Sequence, residues 1–461
     1  MPSLRPLSKF LLASTLLLAL PLTALAQDSA QWDTISKDVL RQTGVPSASL
    51  AVVRDGHIVY KRAYGLAQAP EKILSEPSMR YSIGSISKQF TAAAILLLQE
   101  RGKLSLDDKV EKWIPGLTAG DRITIRQLLS HTAGYRDDWP QDYVMPPVMK
   151  PITPQQILDG YAKIPLEFEP GTKWQYSNTN YTIAGLIAEK ASGMPLMDFL
   201  RQNIFEPLGM KSVYNTDEAA LPASDAIGYV RYALGPLHPA PKEGTGWMFA
   251  AGELAMTAED LARWNLAMIN QQLLKPESWK AMQTDVLLAD GTATGYGLGV
   301  EVGRRNGHRF VAHSGEVSGF VAENIVFPDD HAAVVVLTNQ DASAAASQIG
   351  WKIGESFFTP AQSADTQTAR KVFEGLQHGK IDRALFTDNC NAYFDETTLR
   401  DYSASLGGLG KVQDFTLMHE SLRGGMTHRS YRVKLEGRSV AINAYVLPNG
   451  KIEQFIVTPV D

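Results

Sequence analysis

Strand-like runs bracket the segment 47–338, while helical and loop-rich sequence fills its middle. That arrangement constrains the fold more than any other feature. The runs 47–54 and 57–64 flank Asp55-Gly56. An Asp-Gly pair between alternating runs is a hairpin signal, so the sheet starts antiparallel. Strand patterns return at 296–302, 309–312, 322–327 and 332–338, and a closing helix spans 343–358. An opening helix covers 32–43. Apolar spacing predicts a buried helix over 87–101, with Phe90, Ala94, Leu97 and Leu98 on one face and Gly102 as its stop. Further helices are expected over 181–192, ending at Gly193, and through 197–204. Thr257-Ala258-Glu259-Asp260 reads as a capping box opening a helix through Met268. The expectation is one domain, a sheet closed by its two ends around a helical insertion.

With 461 residues the chain is too long for one ordinary core. Residues 359–368 are small and polar and read as a linker. After it come helical stretches at 369–378, 380–387 and 395–405, then strand runs near 411–421, 426–436, 438–448 and 451–458, the last two joined at Asn449-Gly450. Helices followed by a four-stranded meander make a small α+β domain over 369–461. Residues 1–26 stand apart. Arg5 and Lys9 precede an apolar run from Phe10 to Leu20, Pro21 breaks it, and Ala24-Leu25-Ala26 offers small residues for a cut. This reads as a secretory signal peptide, hence an exported, periplasmic or secreted protein. The rival reading is an uncleaved anchor, against which the run is short. No later segment is apolar enough to span a membrane. Net charge is −5 with no block of like charge, which argues against a nucleic-acid partner. Cys390 is the single cysteine, so no intramolecular disulfide forms, and a small core residue is its plainest role.

Three short motifs carry the chemistry. In Ser85-Ile86-Ser87-Lys88, a helix starting at the serine puts the lysine one turn on, on the same face. A serine hydroxyl is a poor nucleophile without a base, and a buried lysine gives up its proton readily enough to be one. The helix start also offers N–H groups to a forming oxyanion. Alone, the motif reads equally as a helix cap with an exposed lysine. Yet it is the only Ser-x-x-Lys in the chain, and it lies between a strand and a nearly uncharged helix. Tyr176-Ser177-Asn178 follows a turn-rich approach and precedes a helix, placing a phenol and an amide on a loop. The bland alternative is turn chemistry with a packed tyrosine. His313-Ser314-Gly315 ends the run 309–312, where an edge strand would line a cleft and Gly315 would let backbone approach substrate. Its bland alternative is a strand-end histidine.

In this order the three motifs resemble those of the penicillin-recognising serine hydrolases: class C beta-lactamases, DD-carboxypeptidases, D-aminopeptidases and family esterases. The resemblance covers about 40–358 and includes the phrases 81–91, 127–134, 169–178 and 250–264. It implies a beta-lactamase-like α/β (α+β) fold, an antiparallel sheet flanked by helices with an all-helical lobe across the cleft. It implies Ser85 as the nucleophile of an acyl-enzyme, Lys88 as its activator, Tyr176 as general base and proton donor, and Asn178 as a substrate-amide contact. His313, Ser314 and Gly315 would line the substrate, and the backbone N–H groups of Ser85 and Glu316 would form the oxyanion hole. The domain at 369–461 resembles the NTF2-like cone fold, and such modules bind or dimerise, so a dimer through it is one expectation. Its acids and His378, His419 and His428 lack metal-ligand spacing, and no metal or other cofactor is implied.

One departure bears on substrate. Beta-lactamases of this group carry Lys-Thr-Gly where this chain has His313-Ser314-Gly315. A lysine there is a permanent cation for a substrate carboxylate, and a histidine near neutral pH is much less of one. The expected activity is hydrolysis of an ester, amide or D-amino-acid peptide. The alternatives are a slow penicillin-binding or cell-wall-fragment receptor, and a true beta-lactamase.

Overall fold

The computed structural model describes residues 20–141, 143–358 and 364–460, and the chain divides into two compact units, Met1–Thr359 and Pro360–Asp461. The first unit opens with helix α1 (Leu20–Thr43), longer than expected because it begins before Trp32 and runs through the proposed cut after Ala26. The charged start and most of the apolar run of the expected signal lie outside the described residues. Strands β1 (Ser47–Arg54) and β2 (His57–Gln68) form the Asp55-Gly56 hairpin. Then come α2 (Lys88–Glu100), α3 (Asn178–Ser192) and α4 (Ala258–Ile269). Strands β3 (Glu301–Arg305), β4 (His308–Val317), β5 (Phe320–Phe327) and β6 (Ala332–Thr338) lead into α5 (Ala345–Ser356).

The sheet is closed by its sequence ends. β1 pairs antiparallel with β6, Ala48 opposite Thr338 and Val52 opposite Val334. The order is Ile73–Leu74, β2, β1, β6, β5, β4, β3. Side-chain alternation divides β1 and β6 between two cores. Leu50, Val52, Val334 and Val336 pack with Trp32 and Val39 of α1 and Ile349 and Ile353 of α5. Ala51, Val53, Val335 and Leu337 face the larger core, which contains α2. Being covered on both faces, β1 reads as a continuous apolar run. Residues Lys88–Leu98 of α2 are all buried, so this helix is enclosed on every side.

Several expectations need correction. The run 296–302 is mostly irregular, and β3 begins only at Glu301; glycines at 295, 297 and 299 weaken the strand. His313-Ser314-Gly315 does not end its strand but lies inside β4. The capping box at Thr257 is half formed. Its hydroxyl accepts from Asp260 N–H, while the Asp260 carboxylate is taken by the Ser212 N–H and hydroxyl, both at 2.6 Å.

The second unit holds α6 (Ala364–Gln377), which begins inside the stretch read as linker. The expected helix at 380–387 is only a 3-10 turn, Arg383–Leu385, followed by a short helix at Asp388–Tyr393, and then α7 (Glu396–Leu406). A meander of four antiparallel strands completes it: β7 (Val412–Arg423), β8 (Met426–Leu435), β9 (Ser439–Val446) and β10 (Ile452–Pro459). This is the expected α+β unit, and Cys390 is buried within its core, as expected. Among the described residues no helix is long and apolar enough to cross a membrane, and no cluster of three metal-ligating side chains occurs.

Trp32 ties α1 to the domain. It is fully buried, its indole N–H donates to Ser356 Oγ at 3.0 Å, and its ring meets Tyr60 and Phe357 edge-on at 5.2 and 5.9 Å. Trp32→Ala is expected to lower stability by about 3–5 kcal/mol, from lost transfer energy and the cavity left behind. Urea unfolding of the full chain checks this; a loss under about 1 kcal/mol would mean α1 is not integral to the core.

Candidate active site

Ser85 lies in a turn of 3-10 helix, Gly84–Ser87, immediately before α2, rather than in the α-helix itself. The tighter winding serves the pair, because residues three apart eclipse in a 3-10 turn. Lys88 Nζ stands 3.0 Å from Ser85 Oγ. It also lies 2.7 Å from Asn178 Oδ1 and 2.9 Å from the Ala251 carbonyl oxygen. Those two oxygens can only accept. A neutral amine has two N–H groups, so both are used on Asn178 and Ala251, and its lone pair is left toward the Ser85 hydroxyl.

The surroundings keep the lysine ready to be neutral. Lys88 is fully buried, and desolvation pushes its pKa down to about 7, against the opposing pull of Asp137 and Asp138. The faces of Tyr176 and Tyr181 lie 4.9 and 5.5 Å from Nζ. The Tyr176 hydroxyl is buried, and desolvation pushes its pKa up, with Ser85 giving a smaller downward pull. The hydroxyl makes no hydrogen bond of good geometry. At neutral pH Tyr176 is therefore a phenol, a proton donor beside Ser85, and the expected role as resting base does not fit its surroundings.

The third motif approaches from β4. β3 pairs with β4 only from His308 to Ala312, so the strand's outer edge is free of β3 at Gly315 and Glu316. That edge meets the Ser85 turn. A Cβ on Gly315 would lie 1.9 Å from the Ile83 carbonyl oxygen and 3.0 Å from Ser85 N. Gly84, at φ +52°, has Glu316 N where a Cβ would come within 2.7 Å. The two backbone amides expected to stabilise an oxyanion thus belong to touching segments, and two glycines permit the contact.

His313 is not a cation. It is buried, and desolvation pushes its pKa down to about 4. Its Nδ1 faces the Ser314 carbonyl oxygen, which accepts, so Nδ1 carries the proton. Its Nε2 accepts from the Tyr296 hydroxyl at 2.7 Å. Both nitrogens are engaged, so the ring lines the site without offering a charge. Ser314 and Glu316 alternate to the other face of β4, where Glu316 Oε1 accepts from Ala342 N–H at 2.7 Å. Asn178 opens α3 and is already engaged: its oxygen is on Lys88, and Nδ2 donates to Asp137 Oδ1 at 3.1 Å.

A cavity of about 600 Å³ brings together Ser85, Tyr176, Asn178, His313, Ser314 and Glu316. Its walls add Trp139, Trp174, Trp247 and Tyr296, and the acidic residues Asp137, Glu301 and Asp341. Among the described residues no lysine or arginine lines it. Tyr296, His131 and Asp137 are additions that the motif reading did not assign. His131, inside the phrase 127–134, packs its ring 4.3 Å from Tyr176 and accepts from Ser177 N–H at 3.2 Å, and its pKa is held well below the usual value by burial and by Lys88.

The Beta-lactamase family profile matches residues 27–354. Penicillin-binding protein 4* of Bacillus subtilis is 30% identical over 339 residues, 69% of this chain and 75% of that protein. The crystal structure of a D-stereospecific amidohydrolase from Streptomyces sp. is 27% identical with a TM-score of 0.61, over 70% of this chain and 97% of that one. The octameric penicillin-binding protein homologue from Pyrococcus abyssi is 21% identical with a TM-score of 0.62 over 93% of this chain and 99% of that one, a likeness of fold. The motifs, the closed antiparallel sheet and the matched profile agree: the chain belongs to the beta-lactamase family, the penicillin-recognising serine hydrolases.

Proposed function

We propose that the chain cleaves an ester or amide through an acyl intermediate on Ser85, with Lys88 as the base. The observation that carries this is the lysine's set of partners: two fixed acceptors and one hydroxyl. Ser85 Oγ attacks the substrate carbonyl carbon and passes its proton to Lys88 Nζ. The oxyanion forms against the N–H groups of Ser85 and Glu316. The Tyr176 hydroxyl gives its proton to the departing nitrogen or oxygen and is reprotonated from Lys88, and water then releases the acyl group by the reverse path.

The cleft favours a substrate without a carboxylate beside the scissile bond. His313 is neutral there, and the cavity walls carry acids and aromatic rings. An uncharged ester, or the amide of an amino acid with a free amine, suits that field better than an anionic penicillin. The similarity to the D-stereospecific amidohydrolase supports D-amino-acid amides or peptides as the amide class. The positively charged start, apolar run and small residues before Gln27 support export to the periplasm or beyond. A dimer through the second unit is part of the same proposal.

Three outcomes are expected. A fluorophosphonate probe adds one adduct to the intact mass, and Ser85→Ala abolishes it; an adduct that persists in the variant would exclude Ser85 as nucleophile. Labelling with no turnover of any p-nitrophenyl ester or D-amino-acid amide would instead identify a receptor. The second-order rate for p-nitrophenyl acetate should rise with pH to a plateau, with its midpoint near 7. The sign follows from Lys88, which accepts a proton only when neutral, above its lowered pKa. A flat profile from pH 5.5 to 9 would remove Lys88 from the role of base. Tyr176→Phe should cut amide turnover by about 10²-fold or more and p-nitrophenyl ester turnover much less, since p-nitrophenolate leaves without a proton. Equal losses on both substrates would mean that Tyr176 does not protonate the leaving group.

A further inference from the structure

The first helical N–H of α3 has an unusual cap. Its N-cap residue, Ser177, makes no side-chain cap, and its hydroxyl turns to the Arg136 carbonyl oxygen at 3.3 Å. The cap comes instead from a distant segment. Asp137 Oδ1 accepts from Asn178 N–H at 2.8 Å and from Asn178 Nδ2–H at 3.1 Å. The neighbouring pair repeats the pattern, with Thr179 Oγ1 donating to Asp138 Oδ1 at 2.9 Å.

Two bonds to one carboxylate oxygen fix more than the helix start. They decide which end of the Asn178 amide faces Lys88. With Nδ2 held by Asp137, the carbonyl oxygen is left 2.7 Å from Lys88 Nζ. The flipped amide would present Nδ2–H to the lysine. A neutral amine would then meet that donor with its lone pair, the same lone pair that must face Ser85. We propose that Asp137 is a positioning residue for the hydrolytic reaction: by holding both N–H groups of Asn178 it locks that amide with its oxygen on Lys88 and keeps the amine turned toward Ser85. This rests on the reading of Lys88 as base.

The same contact has an electrostatic consequence. The groups facing Lys88 are Asp137 and Asp138, the phenols of Tyr176 and Tyr181, and the neutral rings of His131 and His313. Of these, the two carboxylates favour the ammonium. Removing the Asp137 charge therefore lowers the pH at which Lys88 becomes neutral, while the positioning role is read from how far the accepting oxygen of Asp137→Asn preserves the Ser85 rate that Asp137→Ala loses.

The experiment compares Asp137→Asn, which keeps an accepting oxygen but no charge, with Asp137→Ala, which keeps neither. Lys88 Nζ is followed by lysine-selective 15N NMR over pH on the full chain, assigned with Lys88→Arg, and Ser85 reactivity by the rate of fluorophosphonate inactivation. In Asp137→Asn the Lys88 midpoint should fall by about half a pH unit or more. Its inactivation rate at pH 8.5 should stay within about threefold of the parent, while Asp137→Ala loses about tenfold or more. A midpoint that does not move in Asp137→Asn overturns the proposal, as does an Asp137→Ala rate equal to that of Asp137→Asn. Should the alanine variant not fold, the asparagine midpoint still decides. Asp138→Asn is the control: if it moves the midpoint and Asp137→Asn does not, the role is Asp138's. An unlabelled parent protein would sink the acylation reading, whereas the midpoint comparison tests Asp137 by itself.

Discussion

A lysine with no exposed surface and two carbonyl acceptors organises this site. In water an ammonium is held by three or more solvent molecules. Here Nζ has Asn178 Oδ1, the Ala251 carbonyl and Ser85 Oγ, with tyrosine rings on its flanks. Those three contacts do not replace bulk water around a charge, and burial brings the pKa down to about 7. Each partner comes from a different part of the chain. Ser85 precedes α2, Asn178 opens α3 and Ala251 lies just before α4. Building the base therefore requires the whole helical insertion to pack against α2, and the site forms only as the fold forms.

The sheet supplies the other half. β1 and β6, near opposite ends of the domain, pair along their length and place β5 and β4 beside them. β3 stops pairing with β4 at Ala312, and beyond that point the Ser85 turn abuts the strand at Gly315 and Glu316. A beta-sheet edge is usually a liability because its amides seek partners. Here the Ser85 turn lies against the strand, and Gly84 and Gly315 permit the close approach.

The frame was legible in the sequence because it rests on local signals. The Asp55-Gly56 turn, the apolar runs at 47–54 and 332–338, and the uncharged stretch after Lys88 each report burial or turning directly. The contact between Ser85 and Lys88 was legible because three residues along one turn fix their separation. Tyr296 and Asp137 were not, because what matters is a contact across the fold. Tyr296 meets His313 from 17 residues away, and Asp137 meets Asn178 from 41. No spacing rule announces either pair. The strand expected at 296–302 misled for a related reason: its alternating apolar residues are those of a glycine-rich turn that puts Tyr296 under the histidine. The helix expected at 380–387 is only a 3-10 turn, opened by the Asp382 side chain accepting from Ala384 N–H and ended where the backbone becomes extended at Phe386.

The histidine in the third motif makes sense in the company of the lysine. Three nitrogen bases, Lys88, His131 and His313, share one buried volume, and each positive charge placed there raises the cost of the next. Burial and the proximity of Lys88 hold both histidines neutral. A permanent cation in place of His313 would help a substrate carboxylate, but it would also depress Lys88 further. With neutral His313, held by Tyr296 on one nitrogen and the Ser314 carbonyl on the other, Lys88 titrates near pH 7 alongside Asp138, whose pKa burial and Asp137 raise to about 7. Such a pair releases protons in steps that belong to both groups. The carboxylates and the lysine are then one electrostatic unit, and the choice of histidine over lysine at position 313 bears both on the charge of the cleft and on the protonation of Lys88 within it.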